Sequence, residues 1–223
     1  LTDAFNHYHM GMTAENIANA LNISRLAQDN YALESQQKAV AAIEAGKFKG
    51  QIVPVEIKQR KQTLTFDTDE YPKPDATFDG LQKLRPAFDR DGTVTAGNAS
   101  GINDGASAII LASESAVVKY GLTPLVELSS YAQSGLDPKV MGLGPVEAVS
   151  KALDKADLTL EEVELFELNE AFAAQALGVM YQLSEQHDLP LEAFKSKINV
   201  NGGSIALGHP LGASGNRIIV SLI

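Results

Sequence analysis

Ile198-Asn-Val-Asn-Gly-Gly-Ser-Ile-Ala-Leu-Gly-His-Pro-Leu-Gly-Ala-Ser-Gly-Asn-Arg217 sets five glycines (Gly202, Gly203, Gly208, Gly212, Gly215) and one proline around a single histidine, His209. A strand-like run with Ile198 and Val200 precedes it, and a helix-like run of Ile218, Ile219 and Val220 follows. Glycine costs backbone entropy and adds no packing, so this density around one titratable side chain predicts turns or close approaches that a Cβ would block. Pro210 biases His209 towards extended backbone. An ordinary strand-turn-helix connection with a merely hydrogen-bonded histidine is the plain alternative. Glycine density, His-Pro and the small-residue helix start Gly212-Ala213-Ser214-Gly215 together favour a functional loop.

Working outward, 223 residues suffice for one large domain or two small ones with a real core. No run approaches the roughly 18 apolar residues of a membrane helix, and the start does not read as a signal peptide, which predicts a cytoplasmic protein. Twenty-eight acidic against 18 basic residues, net charge -10, argue against general nucleic-acid binding. The chain contains no cysteine, which excludes disulfides, thiolate metal sites and a cysteine nucleophile from this polypeptide. It begins at Leu1 and stops at Ser221-Leu222-Ile223 in an apolar helical pattern, so both ends read as cut.

Towards the N-terminus, Thr13 is expected to cap a short helix with Ile17 and Leu21, and Ser24 a longer one through Ala45 closed by Gly46. Leu26, Leu33, Val40 and Ile43 are among the apolar positions of the longer helix. His7 and His9 would point the same way in an extended segment, but no third metal ligand stands near them. Val53, Val55 and Ile57 alternate in an edge strand that carries Pro54, and Lys58, Arg60 and Lys61 read as a solvated strand end or an anion site. The segments 106–112 and 125–128 are expected to be strands, the first buried, and 163–166 another strand. Ser113 caps a helix ending at Gly121, Pro145 opens one with Val146, Val149, Leu153 and Ala156 on one face, and Thr159 to Glu162 reads as a capping box. A further helix carries Phe172, Ala176, Val179, Met180 and Leu183. Strands alternating with amphipathic helices predict a layered α/β fold. Asn169-Glu170-Ala171-Phe172 falls at the carboxyl end of a strand, where such sheets place ligands, although Asn169 could equally be a helix cap.

The run from Asn199 to Ile218 closely resembles, without a gap, the histidine signature of the thiolase family of acetyl-CoA acetyltransferases and 3-ketoacyl-CoA thiolases. His9-Met10-Gly11, the stretch from Leu84 to Gly101 and Asn169 to Phe172 resemble further family motifs, so the resemblance covers essentially the whole chain. It implies an α/β fold of α/β/α/β/α layers with an inserted loop domain, only part of which is present: 1–102 a partial loop domain, 103–123 the last segment of the first half, and 124–223 a truncated second half. It also implies that Asn169, through a water, and His209 form an oxyanion hole for a thioester carbonyl. His9, Met10, Lys73, Leu84, Ala96, Ser100, Gly101, Ala171 and Phe172 would line the coenzyme A and pantetheine site. Lys73 and Gly80 depart from the arginine and serine that many bacterial members carry there, and lysine keeps the charge but loses the planar fork.

The implied activity of the intact parent is acyl transfer: condensation of two acetyl-CoA to acetoacetyl-CoA and CoA, or the reverse thiolysis, through a cysteine acyl-enzyme. Coenzyme A thioesters enter as substrates, and no metal or resident cofactor is expected. Two cysteine-bearing regions of the family fall outside this chain, so the fragment is expected to be inactive. His-Pro-Leu-Gly-Ala-Ser-Gly and His-Met-Gly resemble the short-chain biosynthetic type more than the degradative one, and the parent is expected to be a tetramer or dimer. A non-catalytic acyl-CoA-binding or assembly module and another condensing enzyme of the superfamily, such as a ketoacyl synthase, are the alternatives.

Overall fold

The computed structural model describes all 223 residues, and helices dominate it. α1 (Gly11–Ala20) and α2 (Arg25–Glu44) come first, followed by a hairpin of β1 (Val55–Lys58) and β2 (Thr63–Phe66) and the short α3 (Phe78–Gln82). After α4 (Glu114–Tyr120), a 3₁₀ segment over Pro138–Leu143 leads into α5 (Gly144–Ala156). α6 (Ala173–Gln186), α7 (Leu191–Lys195), α8 (Ser204–Leu207) and α9 (Ser214–Leu222) complete the order. α6 is the hub, packing on α1, α2, α5, α7 and the 3₁₀ segment. Its Ala173, Ala174, Ala176, Val179, Met180 and Leu183 are buried in one apolar core with Ile17, Leu160, Phe194 and Ile205.

Local signals explain several helix ends. Ser24 accepts from Ala27 N (3.1 Å) to start α2, and Gly46 closes it at φ 70°. Ser113 accepts from Ala116 N and Gly121 terminates α4 at φ 60°. Pro145 stands in the first turn of α5, which buries Val146 and Leu153. Thr13 is not a cap: α1 begins two residues earlier, and the Thr13 hydroxyl donates to Met10 O (2.6 Å) from inside the first turn. The Thr159 amide and hydroxyl both donate to Glu162 (2.8 Å each), yet these bonds close a turn without starting a helix.

The expected strands at 106–112 and 125–128 do not form. Ile110, Leu111 and Leu125 are 91%, 82% and 81% exposed. A strand exists only through a ladder with a neighbour, and neither segment forms a bridge with any other part of this chain. The strand at 163–166 shrinks to one parallel bridge, Phe166 with Ile198. The single regular sheet is the exposed hairpin, in which Val55 pairs with Phe66 and Lys58 with Thr63. It also carries Lys58 at its solvated end, with Arg60 and Lys61 exposed in the turn. The β-layers of the expected fold are therefore represented by bridges alone.

α2 reverses the expected amphipathic reading. Leu26 is exposed and Leu33, Val40 and Ile43 are only half-buried, whereas Gln28, Asp29, Tyr31, Ser35 and Gln36 are buried. Most of those polar groups find partners in the loops carrying the candidate site, Gln28 Oε1 alone among their side-chain atoms being buried without one. Asp29 accepts from Arg25 (2.7 Å) and Asn98 (2.9 Å), Gln28 donates to Thr93 Oγ1 (2.8 Å), and Gln36 donates to Ile205 O (3.4 Å). No helix is long and apolar enough to cross a membrane.

Candidate active site

Two loops bring Asn169 and His209 together. The parallel bridge of Phe166 with Ile198 aligns their approach, and Asn199, in left-handed backbone (φ 45°), locks them by accepting from Leu168 N and donating to Leu168 O (2.8 Å each) and to Glu170 Oε1 (2.7 Å). Glu170 is a buried anchor that also accepts from the Tyr31 hydroxyl (3.0 Å), the Ser35 hydroxyl (2.7 Å) and Ile205 N (3.2 Å). Burial, then the Glu170 charge, raises the Tyr31 phenol well above its usual range, so Tyr31 is a fixed donor.

Beyond that anchor the chain turns sharply. Gly202 sits at φ 81° against Ala39 of α2, where a Cβ would meet the Ala39 methyl at 2.7 Å. Gly208 sits at φ 93°, and a Cβ there would collide with the Asn103 side chain. His209 N then donates to Gly101 O (3.1 Å) and Asn103 Oδ1 (3.3 Å). Its Nε2 stands 3.5 Å from Asn169 Nδ2, while Nδ1 lies 2.6 Å from Ser214 Oγ. Ser204 Oγ lies 2.6 Å from Asn169 Oδ1. Gly212 and Gly215 have open space around them, so nothing in this chain requires glycine there.

The pantetheine candidates adjoin this pair. Ser100 N and Oγ both donate to Ala171 O (3.0 and 2.9 Å), and Ala99 bridges Phe172. His9 stacks on Phe88 (4.6 Å between ring centroids, 16°), and Phe88 meets Phe172 edge-on at 6.0 Å. The Phe88 ring fills the space over Gly11, next to Met10. His9 Nδ1 accepts from Gly11 N (3.0 Å), and His7 is exposed and distinct from this wall. Ala96 is exposed at the loop's other end, and a Cβ on the next residue, Gly97, would collide with Leu84. Lys73 is at the edge: its backbone N donates to Gln36 Oε1 (2.8 Å) and its ammonium lies over the Tyr71 ring (5.0 Å). Tyr71 in turn packs on Gly101, which links this edge to His209. An open crevice of about 420 Å³ between Asn103–Ser107 and Pro210–Ala213 reaches the residue after His209.

Charge near the pair is sparse and buried. Burial, reinforced by Arg217, holds the His209 imidazole below its ordinary value, so the ring is neutral at pH 7. Arg217 is lowered chiefly by burial, against the pull of Glu167, Glu170 and Asp69. Glu167 is raised to about 7 because burial outweighs Arg217, whose nearest contact to it is 3.8 Å. A neutral donor ring beside a neutral amide is suited to polarising a carbonyl rather than to binding an anion. No three His, Asp or Glu side chains stand together as a metal cluster.

Ser204, Ser214, Glu170 and Phe88 were not singled out from sequence as site residues. Ser204 and Ser214 flank His209 at five residues on either side, a spacing whose meaning depends on how the chain folds around the imidazole.

The N-terminal thiolase domain pattern matches residues 1–115 and the C-terminal thiolase domain pattern residues 122–223. The chain belongs to the thiolase family. It is 57% identical to the acetyl-CoA acetyltransferase of Chromobacterium violaceum over 224 aligned residues, covering all of this chain and 55% of that protein. The crystal structure of the Bacillus anthracis acetyl-CoA acetyltransferase superposes with a TM-score of 0.92 at 47% identity, over all of this chain and 54% of that one. Human mitochondrial 3-ketoacyl-CoA thiolase in complex with CoA superposes at 0.90 with 52% identity, over all of this chain and 53% of that one. The chain thus spans about half the length of the curated relatives it matches, and holds only part of the thiolase fold.

Proposed function

We propose that the protein carrying this chain is an acetyl-CoA acetyltransferase, that this chain supplies its thioester-oxygen donors and pantetheine wall, and that the chain alone is inactive. The observation that carries the reading is the convergence of Asn169 Nδ2 and His209 Nε2, 3.5 Å apart, beside a loop rich in small residues. Curated relatives such as those of Chromobacterium violaceum and Escherichia coli are called acetyl-CoA acetyltransferases, and a structural neighbour was solved with CoA.

In the proposed reaction, a cysteine thiolate from the rest of the parent attacks the acetyl thioester carbon. The carbon–sulfur bond to coenzyme A breaks, and coenzyme A leaves as a thiol after taking up a proton. A second acetyl-CoA gives its α-proton to a thiol-derived base, and its enolate carbon attacks the acyl-enzyme. The new carbon–carbon bond releases the cysteine thiolate and acetoacetyl-CoA. Negative charge collects on the enolate oxygen, and Asn169, through a water, and His209 Nε2 are the donors proposed for it. His9, Phe88, Phe172, Ser100 and Gly101 would form the wall along the pantetheine arm, with Met10, Ala171, Ala96 and Leu84 at its margins and Lys73 at the nucleotide end. We further propose a cytoplasmic homo-oligomer, with the loop domain over 1–102 and the two half-domain segments over 103–123 and 124–223.

Without a cysteine the chain offers no thiolate with the ordinary thiol pKa of ~8.5. The same absence favours one second reading, a non-catalytic acyl-CoA-binding module. Purified chain free of host enzyme is expected to show no CoA-dependent cleavage of acetoacetyl-CoA, whereas the whole protein cleaves it. Turnover by the chain alone would overturn the assignment of the nucleophile, and no turnover by the whole protein would favour the binding module.

A further inference from the structure

We propose that Ser214 and Ser204 are positioning residues: the Ser214 hydroxyl donates to His209 Nδ1 and so places the ring proton on Nε2, and the Ser204 hydroxyl donates to Asn169 Oδ1 and so turns the amide NH₂ to the same point. The catalytic meaning of that alignment rests on the thioester reading above; the proton positions do not.

The assignment follows from counting protons. Ser214 Oγ is buried, with two acceptors in reach: His209 Nδ1 at 2.6 Å and Pro210 O at 3.1 Å. Pro210 O already receives Ala213 N (2.8 Å) and Ser214 N (2.9 Å), which occupy both its lone pairs. Nδ1 has no other partner, so the nearer acceptor is also the unfilled one. A neutral imidazole has one N–H, and with Nδ1 accepting, that proton is on Nε2. Asn169 obeys the same logic. An amide oxygen only accepts, so Ser204 must donate across 2.6 Å. If the amide were turned over, Oδ1 would face Nε2–H and the two groups would bond each other, leaving no donor for a third atom. With both serines in place, Nε2–H and Nδ2–H stand 3.5 Å apart as two donors, which cannot satisfy each other and share one outside acceptor.

The test uses the whole protein with ¹⁵N-labelled histidine. Long-range proton–nitrogen spectra read the tautomer directly, and the His209→Asn variant assigns the His209 signal. Wild type is expected to show an unprotonated Nδ1 and a protonated Nε2. Ser214→Ala should move the ring towards the Nδ1-protonated form, and Ser214→Thr, which keeps the hydroxyl, should restore it. In acetoacetyl-CoA thiolysis Ser214→Ala should lower kcat roughly 10–100-fold with little change in KM, the scale of loss when a group that orients a metal-bound histidine is removed. Ser204→Ala should lower kcat in the same way while leaving the His209 tautomer as in wild type. A wild-type His209 protonated on Nδ1, or an unchanged tautomer in a folded Ser214→Ala, overturns the inference. Should Ser214→Ala fail to fold, the wild-type tautomer and the Ser214→Thr spectrum decide alone. The expected tautomer in a protein with no thioester activity would overturn the proposed function and leave this inference standing.

Discussion

His209 is held at two points, its backbone amide by Gly101 and Asn103 and Nδ1 by Ser214, which leaves Nε2 3.5 Å from Asn169 Nδ2. A donor so held gains strength as charge develops on its acceptor, and need not reorganise to do so. In the whole protein, His209→Ala is therefore expected to lower kcat by about 10²–10³ with KM changed far less, the cost of one oxyanion donor. Steady-state kinetics beside a melting curve decide; parallel losses of binding and melting temperature would make His209 a loop-shaping residue only. Glu167 provides a pH test. Its carboxyl titrates near 7 in the fold against an ordinary 4.5, because burial outweighs the Arg217 charge and Glu170 adds repulsion. Between those values the folded chain retains a proton that the unfolded chain has released, so this group makes stability fall as pH rises through the window. Glu167→Gln removes that component. Urea midpoints for wild type and variant should converge below about pH 4.5 and separate, with the variant more stable, by pH 7; a constant difference would refute the shifted carboxyl.

α2 shows what an element can do when its buried face is polar. Tyr31 and Ser35 reach across to Glu170, which also receives Asn199 Nδ2 and Ile205 N, so one carboxylate ties the helix to the asparagine loop and the histidine loop. Removing the common acceptor strands several buried donors, each costing about 1–3 kcal/mol. Glu170→Ala is expected to destabilise the chain by at least about 3 kcal/mol, and Tyr31→Phe, which removes one bond, by about 1 kcal/mol. Urea unfolding of both variants measures this, and equal losses would mean that Glu170 is not the shared anchor.

At the scale of the whole molecule, the apolar segments around Ile110 and Leu111 and around Leu125, Val126 and Leu128 are exposed without ladder partners. Contiguous exposed apolar surface drives association. Isolated chain is expected to self-associate in sedimentation velocity as its concentration rises, and paired Ile110→Lys and Leu111→Lys substitutions should reduce this. A strictly monomeric wild-type chain over a wide concentration range would show that these segments are covered in solution.

Sequence by itself determined the family and named Asn169 and His209 as a candidate pair. The gapless run around His209 and the Asn169-Glu170-Ala171-Phe172 motif are read from residue order alone, as are the Ser24, Ser113 and Pro145 helix starts, which depend on groups within three or four residues. Tertiary structure decided what depends on partners distant in the chain. The runs at 106–112 and 125–128 have strand composition but no neighbour to hydrogen-bond, so they remain extended and exposed. α2 buries Gln28, Asp29 and Ser35 rather than its leucines because their partners, Thr93, Asn98 and Glu170, arrive from loops 65, 69 and 135 residues away. Ser204 and Ser214 become orienting groups only because the chain folds both hydroxyls to within 2.6 Å of the two donors' far atoms, a proximity that no periodicity encodes.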